Sequence, residues 1–123
     1  MSTDLSGANE VNAAGTPGAG DPDGTGTAAL TLNSGIGEIC FDITVANINN
    51  NLTGAHIHRA PAGSNGPIVV GFLNGPGTGP NLSGCVSVDR ALVKEIRQNP
   101  EGFYVNVHNV DFRPGAVRGQ LSK

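Results

Sequence analysis

Alternation of apolar and polar residues carries most of the signal in this chain. From Thr25 to Asn33 (TGTAALTLN), small or polar residues alternate with Ala28, Leu30 and Leu32, the period-two pattern of a half-buried strand. After a turn at Ser34 to Gly37, the run Glu38 to Ala46 sets Ile39, Phe41, Ile43 and Val45 on one side. Glu38, Cys40, Asp42 and Thr44 fall on the other, so the two runs predict a hairpin. Turn-forming Asn47 to Asn51 leads to a strand over Thr53 to Arg59, which Pro61, Gly63 and Gly66 end. Ile68 to Leu73 predicts a short apolar strand, Gly75 to Pro80 (GPGTGP) a loop, and Leu82 to Val88 another strand. Phe103 to His108 and Ala116 to Leu121 predict the last two strands, flanking a loop over Asn109 to Gly115. Ahead of Thr25 only Leu5 to Val11 is strand-like, and a loop is expected over Asn12 to Gly24. A helical stripe occurs once, at Leu92, Val93 and Ile96 within Asp89 to Gln98, with Asp89 as N-cap and Pro100 as the stop.

The expectation is an all-β fold: an antiparallel β-sandwich of about eight strands with Greek-key or meander connections and one short helix. The 19 Gly and 8 Pro agree, because short strands need many turns. A length of 123 residues predicts a single domain over 1–123.

The formal charge of -3, with Lys and Arg scattered, offers no footprint for a phosphate backbone, so nucleic acid is not expected as a partner. No apolar run reaches the roughly 18 residues that a membrane span needs. Met1 is followed at once by polar, Gly-rich sequence, which is read as a mature domain with a new start in place of an export signal, a cytoplasmic protein being the alternative. Cys40 and Cys85 each fall in a predicted strand. Such a pair in a small β domain points to a disulfide in an oxidising compartment, two unpaired thiols being the alternative. Pairing needs their Cα atoms within about 7 Å.

The three histidines are the candidate chemistry. Residues two apart in a strand share a face, so His56 and His58 project together while Ile57 points into the core. In the strand Phe103 to His108, Phe103, Val105 and Val107 take the core side, leaving Tyr104, Asn106 and His108 outward. If the two strands are neighbours, about 4.8 Å apart, the three imidazoles meet in one surface patch. Such a set suits Cu or Zn at about 2 Å, with an open fourth position. The competing interpretation is three surface or interface histidines bonded to backbone. Tyr104 and Asn106 are candidates to hydrogen-bond around the site. Arg118, outward with Gln120, could steer an anion or hold a carboxylate, and Asp111 could orient an imidazole. No nucleophile elbow, Walker loop or His-Glu-x-x-His helix occurs, which argues against hydrolytic and nucleotide chemistry.

Three blocks resemble the CHRD domain, a module named from chordin and found in many bacterial secreted proteins. They are Leu5 to Val11 (LSGANEV) with Gly26 to Leu32 (GTAALTL), Ala55 to Val70 (AHIHRAPAGSNGPIVV), and Phe103 to Leu121 (FYVNVHNVDFRPGAVRGQL). The family commonly ends Gly-Glu-Ile-Arg-Gly. Here Gly115-Ala116-Val117-Arg118-Gly119 stands instead, so an acidic group is missing beside the site. The resemblance implies an extracellular or periplasmic β-sandwich. The histidine pattern also resembles the metal-binding strands of copper-zinc superoxide dismutases, an analogy of architecture alone, since a dismutase copper site uses four histidines and this chain has three.

The leading functional expectation is a secreted or periplasmic copper-binding protein, a carrier or a redox site, with zinc as the alternative metal. The second is an extracellular structural or protein-interaction module that engages a protein partner or a second copy of itself and uses no metal. The third is a metal-dependent enzyme with an open coordination position and no substrate named by the sequence.

Overall fold

The computed structural model describes residues 1–123. Eight strands follow in order: β1 Ser2–Ser6, β2 Thr25–Asn33, β3 Glu38–Ala46, β4 Asn51–Arg59, β5 Ile68–Thr78, β6 Asn81–Ser87, β7 Phe103–Asn109 and β8 Val117–Gln120. One helix, α1 Arg90–Gln98, separates β6 from β7. The strands form one continuous hydrogen-bonded sheet in the order β5-β4-β7-β8-β1-β2-β3-β6, with every pair antiparallel. The all-β antiparallel class is therefore as the pattern predicts. Hydrogen bonding runs through a single sheet, whose end strands β5 and β6 come alongside each other, so the molecule is nearly barrel-shaped.

The period-two strands behave as their sequences dictate. In β2 and β3, Ala28, Leu30, Ile39, Ile43 and Val45 are buried while Thr27, Thr31, Asp42 and Thr44 face solvent. The β2–β3 turn is closed by Asn33, whose side chain accepts from the Gly35 amide at 3.0 Å. Gly37 supplies a φ of +70°, and a Cβ there would lie 2.6 Å from the Val88 carbonyl oxygen. Asp89 caps α1 by accepting from the Ala91 amide at 3.0 Å, and the helix lays Val93 and Ile96 into the same core as the strands.

Several strand ends shift by one or two residues, and two segments differ further from expectation. The strand read over Leu5 to Val11 ends at Ser6, because Gly7–Asn9 coil into a 3-10 turn that carries Glu10 out of the sheet. The loop read over Gly75 to Pro80 is largely strand, since β5 continues to Thr78 opposite Asn51. Pro76 is tolerated there because β5 is hydrogen-bonded to β4 alone, and an end strand has a side where no N–H is required.

Cys40 and Cys85 stand directly opposite on β3 and β6 and form a disulfide, with Cα atoms 3.9 Å apart. The bond closes a sequence separation of 45 residues and ties an end strand to the sheet. Replacing both cysteines by Ser is expected to lower the unfolding free energy by about 2–4 kcal/mol. The measurement is the unfolding free energy from urea melts, with a slope expected to rise because the unlinked chain unfolds further, and a free energy equal to the parent's contradicts it.

Candidate metal centre

Pairing of β4 with β7 sets the geometry. Their register places His56 opposite Asn106, His58 opposite Tyr104, and Gly54 opposite His108. Directly opposed residues share a face, so all three histidines leave the sheet on one side while Ala55, Ile57, Val105 and Val107 fill the core on the other. Gly54 matters because it lacks a side chain: a Cβ there would lie 2.7 Å from His56 Cε1 and 3.5 Å from His108 Cδ2. The two rings occupy that space, with centroids 5.0 Å apart, and His58 lies 5.6 Å from His56 and 6.0 Å from His108.

Backbone carbonyls assign the tautomers of two rings. His58 Nδ1 lies 2.9 Å from the Gly66 oxygen and His108 Nδ1 lies 2.8 Å from the Arg113 oxygen. A carbonyl can only accept, so each Nδ1 is the donor and each Nε2 keeps a free lone pair in the neutral ring. His58 Nε2, His108 Nε2 and His56 Nδ1 are all buried without a hydrogen-bond partner. One ring nitrogen from each histidine lies within 4.8 Å of the other two. A shared ion at about 2.0–2.1 Å would draw such nitrogens to roughly 3.4 Å, which side-chain rotation can supply.

The cluster is not the surface patch that strand parity suggests. His56 is 9 % exposed and His58 8 %, His108 is half-buried, and Tyr104, Asn106 and Arg118 are buried. Parity is correct, but loops cover this face. Arg118, expected on the outward face to steer an anion or hold a carboxylate, is 1 % exposed and serves as the anchor of that cover. Its guanidinium donates to the carbonyls of Pro61 at 3.1 Å and Ser64 at 2.7 Å, and to Asn65 Oδ1 at 3.2 Å. Asn65 in turn donates to the Val11 carbonyl at 2.9 Å, binding the N-terminal segment to the same loop. The guanidinium also sits 3.4 Å above the Tyr104 ring, and that ring stacks on His58 at 4.8 Å with planes 3° apart. The Tyr104 hydroxyl accepts from the Gly66 amide at 3.3 Å, on the peptide unit beside the carbonyl that fixes His58. Asp111 is exposed, and the imidazole of His108 is oriented by the Arg113 carbonyl instead.

Two residues at the site escaped the sequence reading. Glu10, 3 % exposed, brings a carboxylate against Gly115, where a Cβ would lie 2.3 Å from Glu10 Oε2. A carboxylate is thus present although Ala116 stands where the family often has Glu. Strand parity gives no hint of it, because the 3-10 turn before Glu10 breaks the alternation. Asn74 lies beside His56 and folds over Gly71, whose missing side chain makes room; a Cβ at Gly71 would lie 2.5 Å from Asn74 Nδ2. A glycine opposite His56 in the β4–β5 register is the signal that could have flagged it.

Burial dominates the electrostatics. It lowers the His56 pKa to about 4, assisted by His108 and His58 and opposed by Asn74. His58 and His108 are also pushed below the ordinary imidazole value, chiefly by burial and against their carbonyl hydrogen bonds. All three rings are therefore neutral at pH 7, the form that ligates metal. Burial raises Glu10 to about 7, outweighing the Arg118 charge and a hydrogen bond from Asn106.

Fold and cluster together define an antiparallel β domain, disulfide-linked, with a covered triad of neutral histidines. The chain belongs to the CHRD domain family, whose profile matches residues 1–121. No curated protein and no solved structure gives a significant match.

Two outcomes are expected of substitutions here. The Glu10 pKa is raised, so its contribution to stability is complete below about pH 4.5 and is lost as pH rises through about 7. Glu10→Gln should therefore gain on the parent by up to about 3 kcal/mol between pH 4.5 and 8, measured by urea unfolding at each pH. A constant difference across that range would contradict the assignment. Gly54→Ala should displace the His56 ring, seen as large shifts of its imidazole resonances and a loss of stability of about 1–3 kcal/mol.

Proposed function

We propose that this chain is a secreted or periplasmic copper-binding protein, a carrier or redox site, holding one ion on His56, His58 and His108. One observation carries the reading: each of three clustered histidines keeps a buried ring nitrogen without a hydrogen-bond partner, and one ring nitrogen from each lies within 4.8 Å of the other two. Leaving even one buried polar atom unpaired costs about 1–3 kcal/mol, so three together call for a ligand that accepts all three lone pairs. Imidazole suits both copper and zinc, and the usual affinity order favours copper, with zinc as the alternative. Tyr104, Asn106 and Arg118 act around the ligands: Tyr104 stacks on His58, Asn106 lies beside it, and Arg118 holds the loop whose carbonyl orients it.

The disulfide supports the compartment, because it fits an oxidising environment. The finer architecture belongs to the same reading, a Greek-key sandwich of superoxide-dismutase type in a single domain over 1–123. Its support is that β4, β5 and β6 succeed one another around the closing sheet while β3 lies beside β6. An interaction module would call for a contiguous apolar patch, whereas the exposed large apolar residues Ile36, Ile68 and Val110 lie in three separate segments.

The test is elemental analysis and copper titration of the parent, His56→Ala and His108→Ala. The parent is expected to retain one copper per chain and each variant to lose at least tenfold in affinity. Metal at 100 times its dissociation constant should stabilise the parent by about 2.7 kcal/mol, reversed by a chelator. Equal uptake by the three proteins would refute the site.

A further inference from the structure

We infer that the histidine cluster selects copper in its monovalent state, binding Cu(I) more tightly than Cu(II) or Zn(II). This rests on the metal-site reading above and adds the charge of the ion to it.

The argument begins with what the cluster cannot neutralise. The cost of taking an ion out of water grows with the square of its charge, so a divalent cation loses about four times as much solvation as a monovalent one. Its ligands here are neutral: the grouped donors are three imidazoles and include no carboxylate or thiolate. Metal-bound histidines often gain basicity from a carboxylate on the second nitrogen. Here His58 and His108 donate that proton to the carbonyls of Gly66 and Arg113, which carry no charge. The buried anion nearby is Glu10, and it lies within the electrostatic reach of Arg118, which offsets it. With its pKa near 7, Glu10 is only about half ionised at neutral pH. Arg118 meanwhile places its cation over the Tyr104 ring that stacks on His58. A divalent ion would thus enter a covered site whose surroundings offer almost no compensating negative charge.

Coordination number points the same way. Zn(II) takes four tetrahedral donors and Cu(II) prefers a tetragonal set, while a d10 Cu(I) ion accepts three. The protein presents three nitrogens under a cover of loops. One further unpartnered buried oxygen, Asn106 Oδ1, stands beside His58, and it too is neutral. Imidazole is not a soft ligand, so the preference derives from charge and coordination number and not from softness.

The experiment uses the whole disulfide-bonded chain. Cu(I) is titrated anaerobically against a chromophoric Cu(I) chelator, and Cu(II) and Zn(II) are titrated separately. The potential of the bound copper couple is then measured. Cu(I) is expected to bind at least tenfold more tightly than Cu(II), which places the couple at least about 59 mV above that of the aqueous ion. Cu(I) is also expected to exceed Zn(II) by at least tenfold. Asn106→Asp adds an anion beside His58 and should move the Cu(I)/Cu(II) affinity ratio at least tenfold toward the divalent ion. Glu10→Gln, compared with the parent at pH 8 where Glu10 is ionised, should move it the other way. A couple at or below that of the aqueous ion, zinc binding as tight as Cu(I), or a ratio insensitive to both variants would overturn the inference and leave a metal site standing. Failure to retain any of the three ions would overturn the site itself.

Discussion

A guanidinium removed from water must find acceptors, and the way Arg118 finds them organises the functional face of this protein. Its donors reach Pro61, Ser64 and Asn65 on the loop after β4, and its flat cation rests on Tyr104. Charge-assisted hydrogen bonds of this kind are among the stronger ones in a fold, and leaving such a buried charge unpaired is costly. Loop, strand and ring are therefore coupled. The loop held by Arg118 carries Gly66, whose carbonyl orients His58, and Tyr104 packs flat against that same imidazole.

This coupling explains why β4 and β7 are covered on both sides. Their inner face packs Ala55, Ile57, Val105 and Val107 into the core, as any half-buried strand pair would. Their outer face carries polar residues, and the loop after β4 and the N-terminal segment close over it, tied together where Asn65 meets Val11. Polar groups under such a cover cannot rely on solvent, so each must pair within the protein or bind something. Most do pair. The exceptions include one ring nitrogen on each of the three clustered histidines, and burial keeps those rings uncharged.

Much of this was legible in the residues. The alternation in Thr25–Asn33 and Glu38–Ala46 gave both strands with their observed limits, because one face of each is buried and the other is wet. The helix, its Asp89 cap and the facing of His56, His58, Tyr104, Asn106 and His108 followed from period and parity. What failed has a physical reason in each case. Gly7–Asn9 left the extended conformation, which took Glu10 out of any parity argument. The Gly-Pro run in β5 was tolerated because its unpaired side faces no neighbour in the hydrogen-bond ladder. Arg118 was placed on the outward face as a group to steer an anion or hold a carboxylate, and nothing in its own segment announces acceptors on Pro61, Ser64 and Asn65, 53 to 57 residues away in the chain.

The sequence by itself determined the strand-rich class, the register-free facing of the histidines, and the pair of cysteines available for a bond, since these depend on backbone period and residue type. Only the tertiary structure decided that β4 lies next to β7, that Cys40 stands opposite Cys85, and that loops seal the histidine face. Those are contacts between segments remote in the chain, and they are set by the joint packing of the whole sheet. No local pattern of polar and apolar residues encodes them.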